Sequence, residues 1–354
     1  MFCFLSAHSQ TPIGLYEGLL GNSGAALTDS SAASYYNPSL LKLKKSESYS
    51  IGGNTFGSFT SKGNGQTTTS LSIYPSYLSS IFISESLVHE IFLINLTPTK
   101  LNTQTNLSNS TTTSVDETNV DINRIIVGYS MAFRNIPFAL SYFLQYSQVQ
   151  EFGFSEFADL TGSLRRTSVS KGKYTSLSAG MSVSGHAHFE SYTLGYNLKL
   201  RPVMMYKNNE AQIKNYTRGA TVPTDYSEET INTEVKTPES LNTVFSIGHA
   251  FTSDEHEFIT DTQFIEKTDQ SFSYSLYQSF GYRFSSSSGH QYLVGISHSI
   301  DAQTRYFGQN LYVSTGYSWL NKINRSTFGL YYYQSKISTE VVAAGLTFGS
   351  EFSY

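Results

Sequence analysis

Apolar residues recur at every second position along most of this chain, in segments about ten residues long. Ile125, Val127, Tyr129, Met131 and Phe133 form one such row, with Ile126, Gly128, Ser130 and Ala132 between them. After a turn at Arg134-Asn135-Ile136-Pro137 the row resumes as Phe138, Leu140, Tyr142, Leu144 and Tyr146. Successive strand side chains point to opposite faces, so this is a hairpin with one apolar face and one small or polar face. The same rhythm returns at Tyr192–Leu200, at Phe272–Phe284, at Tyr292–Ile300, at Phe328–Tyr332 and in the last residues of the chain. About fourteen segments follow, the even number expected of a bacterial single-chain barrel. Several run past ten residues, enough to cross a bilayer on a tilt, whereas sandwich strands average about five or six.

Composition fits an all-β, transmembrane, antiparallel barrel. Charged residues make up 14% of the 354, against about 25% in soluble domains. There are 26 Tyr and 24 Phe but one Trp. Mean hydropathy is −0.24, and no apolar run approaches the ~20 residues of a spanning helix. A net charge of −4 argues against a nucleic-acid partner, which wants a basic surface. Cys3 is the single cysteine, which excludes an intramolecular disulfide framework and a cysteine zinc site.

The connections sort by length. Short links near Glu85, Asn135, Gly185, Asp254, Ser287 and Lys322 fall on one side, expected to be periplasmic. The long polar segments 97–123, 150–173 and 204–239 fall on the other and are expected to be extracellular loops. Residues 1–9 read as the remnant of an export signal, apolar to Leu5 with a small-x-small pattern at Ala7-His8-Ser9. No Lys or Arg precedes Lys42, so an ordinary frayed terminus is the alternative.

Residues 13–41 do not read as strand. Helices are expected near 15–20 and 30–36, with Asp29 or Ser30 capping the second and Asn37-Pro38 ending it. Gly18, Gly21, Gly24-Ala25-Ala26, residues 28–32 and above all Tyr35-Tyr36-Asn37-Pro38-Ser39-Leu40 resemble the FadL family, outer-membrane transporters of long-chain fatty acids and aromatic hydrocarbons. Ser39 stands where the family pattern has alanine. The resemblance implies that residues 10–45 form a hatch, with Asn37, Pro38 and Ser39 as its motif, plugging a monomeric barrel of residues 46–354. It implies capture of a hydrophobic ligand between the long loops, a pocket in the lumen, and exit through a lateral gap opened by a kinked strand. It implies no cofactor and no chemistry. The C-terminal strand, 342–354, ends on aromatic Tyr354 and resembles the signal by which assembly machinery recognises such barrels.

Candidate ligand contacts are Phe152, Phe154, Phe157 and Leu160 with Arg165-Arg166, an apolar cluster beside two cations in an expected loop. Packing within that loop or against lipopolysaccharide and membrane lipid is the structural reading of the same residues. Inward-facing Arg124, Lys199 and Arg283 are candidates to neutralise a ligand carboxylate, or to form lumen ion pairs, with Asp261 as an available anion. His186-Ala187-His188 lacks the further ligands a metal needs and reads as a turn. No catalytic motif occurs in a credible context. The function expected is transport of hydrophobic small molecules by a non-enzyme, with a general diffusion porin and a structural or adhesive barrel as rivals.

Overall fold

The computed structural model describes residues 13–62, 67–68, 72–108, 112–159, 164–219, 225–230, 242–266, 274–301, 310–321, 323–336 and 340–354. Among them the alternating segments form one antiparallel sheet with fourteen wall positions. In chain order these are β1 (Ser48–Lys62), β2 (Ser72–Ile83), β3 (Leu87–Ser108), β4 (Thr112–Phe133), β5 (Phe138–Asp159) and β6 (Leu164–Phe189). β7 comprises Tyr192–Lys199 and Val203–Gly219; both pieces pair with β6, and the break between them ends at Pro202. β8 comprises Asp225–Thr230 and Val244–Ser253, each paired with one piece of β7. β9 (His256–Glu266), β10 (Tyr274–Ser285), β11 (His290–Asp301), β12 (Asn310–Leu320), β13 (Asn324–Lys336) and β14 (Glu340–Ser353) complete the wall. β1 pairs with β14 from Ser48↔Ser353 to Lys62↔Glu340, which closes the barrel and leaves no free edge there.

The apolar rows point outward. Phe280, Tyr292, Val294, Ile296, Phe328 and Leu330 are exposed, while their neighbours Ser279, Leu293, Ser297 and Thr327 are buried. A protein solvated by water would reverse this; a wall solvated by lipid requires it.

One end of the barrel carries short turns, at Glu85, Asn135, Asp254 and Ser287 among others. The link expected near Gly185 lies further on: β6 runs through His186 and His188 to Phe189, and the turn is Glu190-Ser191. His186-Ala187-His188 is therefore strand, not turn. At the other end, the segments expected as long loops are largely strand. β4 and β5 stay in register from Ala132↔Ala139 to Thr112↔Asp159, and β5 and β6 to Ala158↔Arg165. Thr, Val and Ile suit a pleated surface, so pairing continues after the apolar signal has faded.

Residues 13–43 lie inside the barrel at the short-turn end, almost all buried. They form a 3-10 turn at Gly18–Leu20, a short helix α1 at Ala33–Tyr36 and a 3-10 turn at Pro38–Leu43. The longer helices expected there do not form. The buried Glu17 carboxylate accepts hydrogen bonds from Ser30 Oγ (2.7 Å), Ser31 Oγ (2.9 Å) and the Ala32 N–H (3.1 Å), which wraps 30–32 around it. Neither Asp29 nor Ser30 caps α1. Asn37 ends α1, and its side chain accepts from the Ser39 N–H (3.1 Å), capping the next turn with Pro38 at its first position.

Candidate functional site

The plug meets the wall in two ways. Against β2–β5 it packs side chain on side chain: Ile13, Ala32 and Tyr36 with Tyr77, Phe92, Ile94 and Ile126, and Leu41 with Ile81, Val88, Ala132 and Ala139. Against β7–β14 and β1 it packs Leu15, Leu19, Leu20, Ala26 and Leu27 on Ala250, Ile259 and Leu293, and between these contacts it rests on a belt of bare sheet. Gly195↔Gly248, Gly281↔Gly295, Gly316↔Gly329 and Gly349↔Gly52 are directly paired glycines on neighbouring strands. Leu19, Leu20, Gly21 and Ala25 lie on this belt, and a Cβ at Gly295 or Gly195 would land on the Gly21 nitrogen or the Ala25 carbonyl oxygen. Only glycine permits that approach. Burying a leucine is worth about 1.5–3 kcal/mol, and Leu15, Leu19, Leu20, Leu27, Leu40 and Leu41 are all fully buried.

Polar contacts fix the register of plug on wall. Asp261 of β9 accepts from the Gly24 and Ala25 N–H groups (2.7 and 2.8 Å). Glu90 of β3 accepts from the Ser34 N–H and hydroxyl and from Tyr77 OH (2.7 Å). Asn37 Nδ2 donates to the Ala25 and Gly185 carbonyls (2.7 and 3.2 Å). Ser39 N–H donates to Ser184 Oγ (2.9 Å), and Ser39 Oγ lies 2.9 Å from His186 Nδ1. Asn37, Pro38 and Ser39 are thus a buried node between two turns of the plug and β6.

An ion ladder closes the other side. Asp29 of the plug receives Arg283 of β10 (2.8 Å) and Arg325 of β13 (3.0 Å). Arg283 continues to Glu257 of β9 (2.5 Å), and Arg325 to Glu351 of β14 (3.8 Å), which Lys44 of the plug reaches at 3.1 Å. Three cations face three anions. The Tyr16 ring lies against Arg325, 4.8 Å from centroid to guanidinium carbon, and its hydroxyl donates to the Asp29 carbonyl. Burial opposes ionisation of Asp29, but the charges of Arg283 and Arg325 override it and hold the carboxyl well below the usual carboxylate range. A crevice of about 150 Å³, lined by Asp29, Lys44, Ser48, Asn324, Arg325 and Glu351, opens onto the ladder.

The wall has a seam. β2 and β3 pair from Ile83↔Val88 to Tyr77↔Ile94; beyond that, among the described residues, Ser72–Tyr74 and Pro75 pair with β1 alone. β3 goes on with β4 alone, and its register shifts between Leu96 and Thr99, skipping Thr97 and Pro98. Pro75 and Pro98 stand on the two strands flanking the opening, and neither has an N–H to give to a ladder. Immediately below lies an outer hollow of about 460 Å³, lined by Ile51, Leu78, Ile91, Leu93, Val127 and Phe352.

The sequence candidates divide. Arg283 and Asp261 both hold the plug, but separately and not as a pair. Lys199 Nζ sits 3.6 Å from the centroid of the Tyr35 ring of the plug. Arg124 lies on β4 opposite Ser147 and Leu96, away from the ladder. Phe152, Phe154 and Phe157 are strand residues of β5, in unbroken register. Phe152 and Phe154 therefore share one face and Phe157 takes the other, so they make no single apolar cluster. Arg165 pairs with Glu156 (2.7 Å), while Arg166 stands opposite Phe157. Leu160, like residues 1–12, lies outside the described residues. The sequence reading passed over Glu17, Glu90, Glu257, Arg325 and Glu351 as site residues, and took Asp29 only as a helix cap. The wall members among these sit one position off an outward row of apolar residues, and that parity was the available signal.

The class of protein is a closed fourteen-stranded barrel with its own N-terminal segment packed into the lumen. No protein-family model and no curated protein matches the sequence. Solved structures do match. The CymD monoaromatic hydrocarbon channel aligns with a TM-score of 0.70 at 10% identity, over 98% of this chain and 99% of that one. The Ralstonia pickettii toluene transporter TbuX gives 0.68 at 10%, over 98% and 99%. A Pseudomonas aeruginosa FadL homologue gives 0.57 at 8%, over 97% and 98%. The fold is that of the FadL-type channels, as the motif at residues 35–40 implied.

Proposed function

We propose that this protein carries hydrophobic small molecules across a bacterial outer membrane, entering from the long-strand end and leaving sideways through the β2–β3 seam. The observation that carries the reading is a pair of features found together: a lumen closed at its short-turn end by a buried plug, and a wall whose β2–β3 pairing stops beside it at Tyr77↔Ile94. An open lumen would serve a porin. A plugged lumen with a lateral opening serves a ligand that gains about 0.8 kcal/mol per CH₂ on leaving water. The apolar hollow below the seam continues that route toward lipid. Similarity of fold to a toluene transporter and a monoaromatic hydrocarbon channel supports the same reading.

The charge inventory favours an uncharged ligand. Two of the three lumen cations that the sequence offered to a carboxylate are engaged, Arg283 by Asp29 and Glu257, and Lys199 by the Tyr35 ring, while Arg124 lies apart from the plug's ion ladder on β4. A hydrocarbon needs no counter-ion and fits this lumen better than a fatty acid. In this reading residues 10–45 act as the gate, the short turns face the periplasm, the protein works as a monomer, and the C-terminal strand guides assembly.

The test is uptake by cells lacking their own transporter, after equal assembly is confirmed by heat-modifiable gel mobility. Toluene uptake should appear with the intact protein, exceed oleate uptake, and fall several-fold in Asn37→Ala/Pro38→Ala. If hydrophilic solutes pass freely and no hydrophobic compound does, the protein is a porin. Deleting Pro98 alone removes the one extra residue, because Thr97 and Pro98 together stand where β4 has only Asn123, and it preserves which face each later residue occupies. That variant should keep its mobility and lose most uptake; unchanged uptake would place the exit elsewhere.

A further inference from the structure

Among the described residues, four histidine–tyrosine pairs ring the outside of the barrel near its short turns. His89 of β3 bonds Tyr129 of β4 (Nδ1 to OH, 2.5 Å), and Tyr192 of β7 bonds His249 of β8 (2.8 Å). His256 of β9 bonds Tyr282 of β10 (2.8 Å), and His290 of β11 bonds Tyr317 of β12. All four are diagonal neighbours across a strand pair. All four stack alike, with centroids 5.8, 6.1, 6.1 and 5.7 Å apart and ring planes within 30° of parallel. Each lies on the outward face, in the same rows as exposed Ile91, Phe251, Phe258 and Tyr292. There the apolar rows give way to polar turns such as Ser84-Glu85-Ser86, Glu190-Ser191 and Asp254-Glu255.

We propose that this rim is a phospholipid-headgroup site, in which the four imidazoles present fixed N–H donors to the phosphate and ester oxygens of the adjoining leaflet. The proposal rests on the reading that the apolar belt lies in a bilayer. An aromatic rim alone would suit an interface that is apolar on one side and wet on the other; phenylalanine or tyrosine could supply it. Histidine adds a second nitrogen. When the tyrosine hydroxyl donates to Nδ1, the neutral ring carries its proton on Nε2, which becomes a donor held by the stack. Phosphodiester and ester oxygens only accept, so the chemistry matches. Each pair also bridges strands whose covalent link is at the far end of the barrel, but stapling those strands uses Nδ1 and the hydroxyl and leaves Nε2 without a task.

The test places protein with ¹⁵N-labelled imidazoles in vesicles of phosphatidylethanolamine and phosphatidylglycerol, with flotation in a density gradient as the first readout. Solid-state NMR then measures ¹⁵N–³¹P dipolar dephasing. Expected are Nε2 signals protonated and dephased by phosphorus, with dephasing mostly lost in His89→Phe/His249→Phe/His256→Phe/His290→Phe. Co-purifying phospholipid should fall several-fold in that variant. Protein that floats with vesicles but shows no dephasing overturns the headgroup site alone. Protein that does not float overturns the bilayer reading with it.

Discussion

Gly295→Val is expected to unseat the plug and open a continuously conducting path through the lumen. The Cβ of any residue at 295 would fall on Gly21 N, and would also crowd the Leu20 carbonyl carbon and Gly21 Cα, 2.8 Å away. Those are backbone atoms, so no side chain can rotate out of the way. Overpacking where side chains can yield costs about 1–3 kcal/mol; with backbone on both sides the cost reaches the top of that range or beyond. The wall has less freedom to give than the plug. Gly295 is paired with Gly281 on one side and Ser314 on the other, inside continuous ladders, whereas the plug is held at this point by Tyr277 and Tyr312 hydroxyls on the Gly21 and Gly18 carbonyls. Planar-bilayer recordings should therefore show sustained current in the variant, with heat-modifiable mobility unchanged. Gly172→Ala, on β6 away from the plug and with only the Glu151 Cβ at 3.7 Å from the added methyl, should leave conductance alone. Sustained current in both, or in neither, would mean that the glycine belt does not seat the plug.

The wall was legible in the sequence because lipid solvation writes a period-2 code: the residues read as one apolar row, such as Phe280, Tyr282 and Phe284, share the outward face. The hairpin extensions past the apolar belt were not legible as strand, because Thr at 97–123 favours strand without an apolar signal while the Ser and Asn among it read as turn or loop. Reading 150–173 as loop also suspended the parity rule, which is why Phe157 was grouped with Phe152 and Phe154 although strand geometry separates them. The plug was recognisable as a distinct segment, but its anchors were not. Asp29 and Arg325 are 296 residues apart, and only the closed register of the barrel brings them together. The glycine belt was hidden for a similar reason. Each glycine looks like one more small residue on an inward face until cross-strand pairing puts Gly195 beside Gly248 and Gly316 beside Gly329.

Asp29→Asn is expected to loosen the plug by removing the anion shared between two wall arginines. Arg283 keeps Glu257 at 2.5 Å, but Arg325 is left with Glu351 at 3.8 Å as its remaining carboxylate. Both guanidinium side chains are only 10% exposed. Breaking a buried ion pair by removing one partner costs about 3–5 kcal/mol. The Asp29 side chain is 32% exposed, so water screens part of the loss and the low end, about 3 kcal/mol, is the figure to expect. That corresponds to roughly a hundredfold rise in the population with the plug displaced, measurable as brief current openings and as faster proteolysis of residues 13–43. In an Arg325→Met background the same substitution should cost markedly less, because the cation it orphans is already gone; equal cost in both backgrounds would mean that Asp29 acts through Arg283 alone. The pH dependence has a definite sign. The folded carboxyl ionises at lower pH than the unfolded one, for which about 3.9 is usual. Its stabilisation is therefore fully present above that value and is lost only as pH falls toward the depressed folded one. The native plug should stay closed from neutral pH down to about 4, and wild-type openings that multiply well above that range would show that a different group controls the latch.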